Sequence, residues 1–333
     1  MSKLSEVNWS EGMFMRPHHL QVASRYFSSA LSRETQQIQP YGWGIVSLQI
    51  SEAMLENFVF DIKSLRMKMP DGTFVCVPDN TNVEPRELKE FLDKANGSID
   101  VFFALPGLRD NAPNTLPLGE KSRDSYDRRY IIQLHELLDE NSGKNPQQIE
   151  TRKLNGKIFF SGENTSGYEI VKIARVIRSG DSRNIPALSS EFFPPALELK
   201  ASAHLYNLCH DIYHRLTAKN RMLISQVSEG NLSFSGDIKD AIQIMLKIQV
   251  TSGFAPLIRQ LIETPHIHPY IIYLEFCRLA GDLSIFSKDM KLPDIPSYNH
   301  EQIAECFQGI CSQINQLLEH VISAVYIKAG FEK

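Results

Sequence analysis

His210 and His214 are the residues of this chain whose spacing comes closest to metal chemistry. In His210-Asp211-Ile212-Tyr213-His214 two imidazoles stand four residues apart. On a helix they would share a face and could chelate one zinc ion, with Asp211 near the place of a zinc protease's glutamate. A zinc site needs a third ligand, and none is set by spacing. Leu205, Leu208, Cys209, Ile212 and Leu216 form the apolar face of the same segment, and both histidines fall opposite it. A solvated face is the plainer reading. His18 and His19 are neighbours, which point about 100° apart on a helix and do not chelate together. His266 and His268 lie in a Pro-containing turn and would hold a metal only adventitiously.

Other reactive constellations are missing from the text. Gly42-x-Gly44 lacks the third glycine of a dinucleotide fingerprint, and neither a Walker loop nor a Gly-x-Ser-x-Gly elbow occurs. Glu11, Asp61 and Asp71 read as carboxylates of turns or solvated faces. The five cysteines (Cys76, Cys209, Cys277, Cys306, Cys311) are odd in number and form no Cys-x-x-Cys, so reduced thiols are expected. A net charge of −4 with both signs interspersed leaves no electrostatic footprint for nucleic acid. No uninterrupted apolar run reaches the roughly 18 residues of a membrane span, and the N-terminus has no apolar core of a signal peptide. These absences argue against an enzyme and imply no metal or cofactor.

The elements that would position any site fall into two halves, as a chain of 333 residues leads one to expect. Up to about residue 185 the text is strand-like. Phe58, Phe60 and Ile62 alternate with polar residues. Pro70-Asp71-Gly72 then predicts a hairpin into Thr73–Val77. Ile99–Leu105, Tyr130–Leu138 and Tyr168–Ile177 read as strands, and Asn155-Gly156 predicts a second hairpin inside Thr151–Phe160. Arg109–Asp127 reads as an exposed excursion. Many short strands at this spacing predict a β-sandwich or a barrel. Pro186, Pro194 and Pro195 mark the change, so the expected domains are 1–185 and 186–333.

The second half is helical. Its second helix, from about Gly236, is apolar on two sides (Ile238, Ile242, Met245 and Leu246 against Ile244 and Ile248), which predicts deep burial. Pro256 is expected to kink or split it. A third helix starts near Pro269. In the last, Ile303, Phe307, Ile310, Ile314, Leu317, Val321 and Ala324 follow a 4-3 spacing, a heptad seam widened by Leu318, Ile322 and Val325. A four-helix bundle follows. The seam would serve either this bundle or a trimer, since isoleucine at both core positions favours three strands.

Ahead of everything lies Asn8-Trp9-Ser10-Glu11-Gly12-Met13-Phe14-Met15-Arg16-Pro17-His18-His19-Leu20-Gln21. Pro17 suits a first helical turn. Leu20, Ala23, Phe27, Ala30 and Leu31 then make one apolar stripe, which Trp9, Met13, Phe14 and Met15 do not join. The wording of this segment resembles the N-terminal signature of the TssK family (also VasE or ImpJ), subunits of the bacterial type VI secretion baseplate. The resemblance continues in Tyr41-Gly42-Trp43-Gly44, Pro70-Asp71-Gly72-Thr73, His268-Pro269-Tyr270 through Leu279-Ala280-Gly281-Asp282-Leu283, and Pro296-Ser297-Tyr298-Asn299-His300.

That resemblance implies a structural adaptor: a homotrimer with an α+β build, a phage receptor-binding-protein-like β-sandwich shoulder followed by a four-helix bundle neck. It implies docking of the shoulder on a TssF–TssG wedge, with Trp9, Met13, Phe14 and Met15 at the contact. The competing expectation for those four is that they seal one end of the sandwich. It also implies a head domain beyond Lys333, absent from these residues, that contacts TssL and TssM of the membrane complex, and a cytoplasmic site of action at the inner membrane. The other class considered is a β-sandwich hydrolase or carbohydrate-binding protein with a helical appendage.

Overall fold

The computed structural model describes residues 5–95, 97–119, 127–179, 184–228, 238–287 and 289–321. They divide into two compact units, Met1–Leu197 and Glu198–Lys333. The first unit begins with α1 (Pro17–Ile38), started as expected by Pro17 at its first position. There follow β1 (Gly44–Ile50), α2 (Glu52–Glu56), β2 (Val59–Phe60), β3 (Ile62–Lys68), β4 (Phe74–Val77), β5 (Thr81–Val83), β6 (Arg86–Glu87) and α3 (Lys89–Lys94). The unit continues with β7 (Ser98–Pro106), β8 (Thr115–Leu116), β9 (Tyr130–Leu137), β10 (Gln147–Phe160), β11 (Tyr168–Arg178) and β12 (Pro186–Leu188).

Among the described residues the strands form three sheets. β1, β3 and β4 form one; β12, β11, β7, β10, β9 and β8 run in that order through the largest, with β5 beside β10; β2 and β6 make a pair. The β3–β4 hairpin turns where Asp71-Gly72 says it must, pairing Leu65 with Val77 and Lys68 with Phe74. Leu65 and Met67 of β3 are buried with exposed Arg66 between them, and Ile62 is buried at the strand's start. Val101, Phe103, Ile158, Phe160, Val171, Ile173 and Val176 bury the larger sheet.

Two expectations for the strands are corrected. Asn155-Gly156 makes no turn: β10 runs unbroken through both, against β9 on one stretch and β7 on the next. The glycine is there for space. A Cβ on Gly156 would lie 2.7 Å from a Val83 methyl and 2.8 Å from the Phe103 ring. Phe58 is not a strand residue either; it has φ 62° after α2, and β3 starts only at Ile62. Of the 109–127 excursion, Thr115–Leu116 pairs in parallel with β9, and residues 120–126 lie outside the described set.

The division falls twelve residues later than the proline cluster suggested. Pro186–Leu188 pairs with β11, and Ala196 bridges to Ile45, which also donates its N–H to the Pro195 carbonyl. Prolines at the edge of a sheet need give up no ladder bond, so they punctuate the text without leaving the unit.

The second unit holds α4 (Ala203–Ser228), α5 (Ile238–Glu263), α6 (Pro269–Ser284) and α7 (Ile303–Val321). α4 packs on α5 and α7, and α6 on the same two. α5 passes through Pro256 as one helix, so the proline does not split it; Phe254, Ile258 and Ile262 are buried on either side of it. The expected deep burial of α5 is corrected below. Ile322, Ala324 and Val325 of the expected seam lie outside the described residues.

Candidate interaction surfaces

The histidines do structural work. His210 and His214 stack edge to face at 4.2 Å, with Tyr206 and Tyr213 beside His210. His210 is half-buried and His214 exposed. His266 Nδ1 pairs with Glu198 at 2.7 Å, while His268 is buried and accepts the Tyr270 N–H at 3.1 Å as the cap of α6. His19 accepts the Arg16 N–H at 3.0 Å and so closes the first turn of α1. Among the described residues no group of three or more His, Cys, Asp or Glu is disposed to hold a metal. All five thiols are free. Burial lifts Cys209 well above its ordinary pKa and Cys311 to about 12, so both remain neutral packing groups.

The N-terminal residues singled out by the sequence lie on the surface. Trp9 is 50% exposed, Phe14 80% and Met15 59%, with Met13 half-buried. The Trp9 and His19 rings are tilted at 51° to one another with centroids 6.3 Å apart. They are not the seal of a core. α1 behaves alike: none of its residues is buried, and Leu20, Phe27 and Leu31 stand exposed. Polar contacts to the β3–β4 turn hold it. Gln36 donates to the Pro70 carbonyl at 3.0 Å, Ser32 to the Asp71 carbonyl at 3.5 Å, and Lys68 Nζ to Thr35 Oγ1 at 2.7 Å. Burial lowers the Lys68 pKa.

Two more apolar surfaces escaped the sequence reading. The outer part of the β9–β10 ribbon exposes Leu134, Leu137 and Ile149. α5 exposes Ile242, Met245 and Leu246. Ala241–Glu263 of α5 is long and apolar enough to cross a membrane by length and composition, and only 22% of its most apolar 18-residue stretch is buried. The expectation of deep burial therefore fails for its first half. Two apolar sides meant that one faces the neighbouring helices and the other faces out. Lys247 is buried there, its Nζ 5.8 Å from the Phe286 ring centroid.

The heptad seam is spent inside the chain. Ile303, Phe307, Ile310, Ile314 and Val321 are buried, with Leu317 half-buried and Leu318 taking its place inside. Phe307 meets Tyr273 at 5.5 Å and Phe276 at 6.2 Å, both on α6. The three-stranded preference of isoleucine thus has nothing to act on here.

Exposed aromatic and methionine side chains thus lead into a helix that polar contacts tether and that buries none of its own residues. Comparison with known proteins names the family. The profile for bacterial type VI secretion proteins (VC_A0110, EvfL, ImpJ, VasE) matches residues 19–333, and the chain belongs to this TssK (VasE/ImpJ) family. The type VI secretion system baseplate component TssK1 of Pseudomonas aeruginosa PAO1 is 27% identical over 329 residues, 97% of this chain and 71% of its own length. A chain of the TssK-TssF-TssG baseplate subcomplex, seen by cryo-electron microscopy, superposes with a TM-score of 0.83 at 22% identity, over 95% of this chain and 100% of that one. A chain of the type VI baseplate complex gives 0.86 at 23% identity, over 95% and 70%. The mixed α+β fold is therefore TssK-like. The family is one of structural baseplate subunits, not enzymes, and the hydrolase reading falls with it.

Proposed function

We propose that the chain is a structural adaptor of the type VI secretion baseplate, docking a TssF–TssG wedge through Trp9, Met13, Phe14, Met15 and the exposed stripe of α1. The observation that carries this is α1 itself: 22 residues, an apolar stripe, and no buried side chain. An amphipathic helix left open is a surface for another protein. In this reading the first unit is the β-sandwich shoulder and the second the four-helix bundle neck. The adaptor works by geometry and affinity, without turnover.

The same reading makes the chain a homotrimer. With the α7 seam occupied from within, the self-contact is assigned to the outward side of α5 at Ile242, Met245 and Leu246. Contact with TssL and TssM is assigned to a head domain of the longer family members, and the place of action to the cytoplasmic face of the inner membrane. The test is titration of this chain and of Phe14→Ala against TssF–TssG, with light scattering on each. A trimeric mass and at least about tenfold weaker binding of Phe14→Ala are expected; undiminished binding sinks the N-terminal site. In parallel, the chain should not capture the cytoplasmic domain of TssL, and capture would relocate that contact into the two units described.

A further inference from the structure

Arg129 is the largest fully enclosed side chain among the described residues, 1% exposed. A guanidinium withdrawn this far from water persists only if its donors are taken. Nη1 donates to the Pro106 carbonyl at 2.8 Å. Nη2 donates to Asp71 Oδ2 and to Thr73 Oγ1, both at 2.7 Å. Nε has no partner among the described residues. Two of the three bonds thus run to one turn. The other carboxylate oxygen of Asp71 accepts the Thr73 N–H at 2.8 Å, and Met69 and Gly72 close the turn through the backbone.

The outer side of that turn is where α1 rests. Gln36 and Ser32 donate to the carbonyls of Pro70 and Asp71, and Thr35 accepts from Lys68. Gly72, at φ 88°, has no room for a Cβ because the Ser32 side chain occupies the place. No buried side chain of α1 adds an apolar anchor. The orientation of the helix is therefore only as firm as four or five consecutive residues of turn, and those residues are held from inside by one arginine.

We propose that Arg129 is a positioning residue for the N-terminal interaction arm: through Asp71 and Thr73 it fixes the turn that serves as the socket of α1, and so sets the direction in which Trp9–Met15 is presented. This rests on the reading of that segment as the wedge-binding part. The physical gain is preorganisation, since an arm already held in its bound direction loses less freedom on binding. An arginine suits the task because its planar fork reaches a carboxylate, a hydroxyl and a carbonyl at once, which a lysine's single ammonium cannot do in the same geometry.

Three variants of the 333-residue chain test it: Thr73→Val, which removes one acceptor of Arg129 at constant shape; Arg129→Lys; and the pair Thr35→Val with Gln36→Ala, which loosens the socket from the helix side. Amide hydrogen exchange is followed in residues 17–38, with α6 and α7 as references, and binding to TssF–TssG is titrated. Each variant should speed exchange in α1 about tenfold or more while the references stay unchanged, and should weaken wedge binding. Trp9→Ala should weaken binding without altering exchange, which separates positioning from contact. Unchanged exchange in α1 for Thr73→Val and for the Thr35/Gln36 pair overturns the socket, whether or not Arg129→Lys folds. Faster exchange with undiminished binding upholds the socket and overturns the wedge reading on which its purpose depends.

Discussion

Helix α7 buries nine of its 19 residues, and α1, with 22, buries none. Both carry an apolar stripe at helical spacing, so periodicity alone ranks them as equals. What separates them is the supply of neighbours. α7 lies among helices of its own unit and sets Phe307 against Tyr273 and Phe276. α1 meets a hairpin turn, whose exposed carbonyls can accept hydrogen bonds but offer no apolar bed. A stripe states that a face needs cover; it does not state whether the cover is the same chain.

Stability measurements can break the contrast directly. Phe307→Ala should cost about 3–5 kcal/mol of unfolding free energy, the range for emptying an aromatic site in a packed core. Phe27→Ala on α1 should stay within about 0.5 kcal/mol, as for a surface substitution. Urea denaturation gives both values, and a Phe27→Ala cost near that of Phe307→Ala would mean that α1 packs within its own chain.

α5 sharpens the contrast because it belongs to both classes. Ile258 and Ile262 are enclosed while Met245 and Ile242 are open. Met245→Glu should leave the melting of a dilute monomer nearly unchanged but weaken self-association by on the order of 2 kcal/mol for each contact it enters. Light scattering over a concentration series reads this, and a trimer that ignores the charge moves the self-contact elsewhere, with the β9–β10 ribbon next in line.

The smallest effect concerns acid. Burial opposes ionisation of Asp100, but bonds from Arg175 at 2.7 Å and Lys172 at 2.6 Å outweigh it and hold the carboxyl below its ordinary value. Glu163 is lowered in the same sense: burial opposes, and the Arg86 fork and the Phe160 N–H prevail. Their folded pKa values lie below the unfolded ones. Their contribution is therefore complete above the ordinary carboxylate range and fades as pH falls through the lowered values. Asp100→Asn should remove up to about 1 kcal/mol at neutral pH, a figure already reduced for solvent screening, and flatten the acid limb of stability against pH. The helical unit, without these pairs, should not respond.

Much of this was legible in the residues. Pro17 opening α1, the Asp71-Gly72 hairpin, the strands at 99–105, 130–138 and 168–177, and the α6 and α7 segments follow from local rules of dihedral freedom and period. Asn155-Gly156 shows the limit. The pair satisfies the hairpin rule, but the glycine answers to Val83 and Phe103, which are brought close only by the sheet. Trp9, Phe14 and Met15 were found by residue type, while core and surface could not be told apart. Arg129 carried no signal at all beside Arg128, because enclosure is set by the Asp71–Thr73 turn and by Pro106, two stretches distant from it in the chain.

The sequence by itself determined which segments are helix or strand, where the β3–β4 chain reverses, which faces need cover, and the family, through wording spread along the whole chain. The tertiary structure alone decided which of those faces is covered from within: α7 is closed, α1 is open, and α5 is divided. The physical reason is that period and propensity act over a few neighbouring residues, whereas burial depends on which distant surfaces arrive to exclude water, and that is a property of the assembled chain.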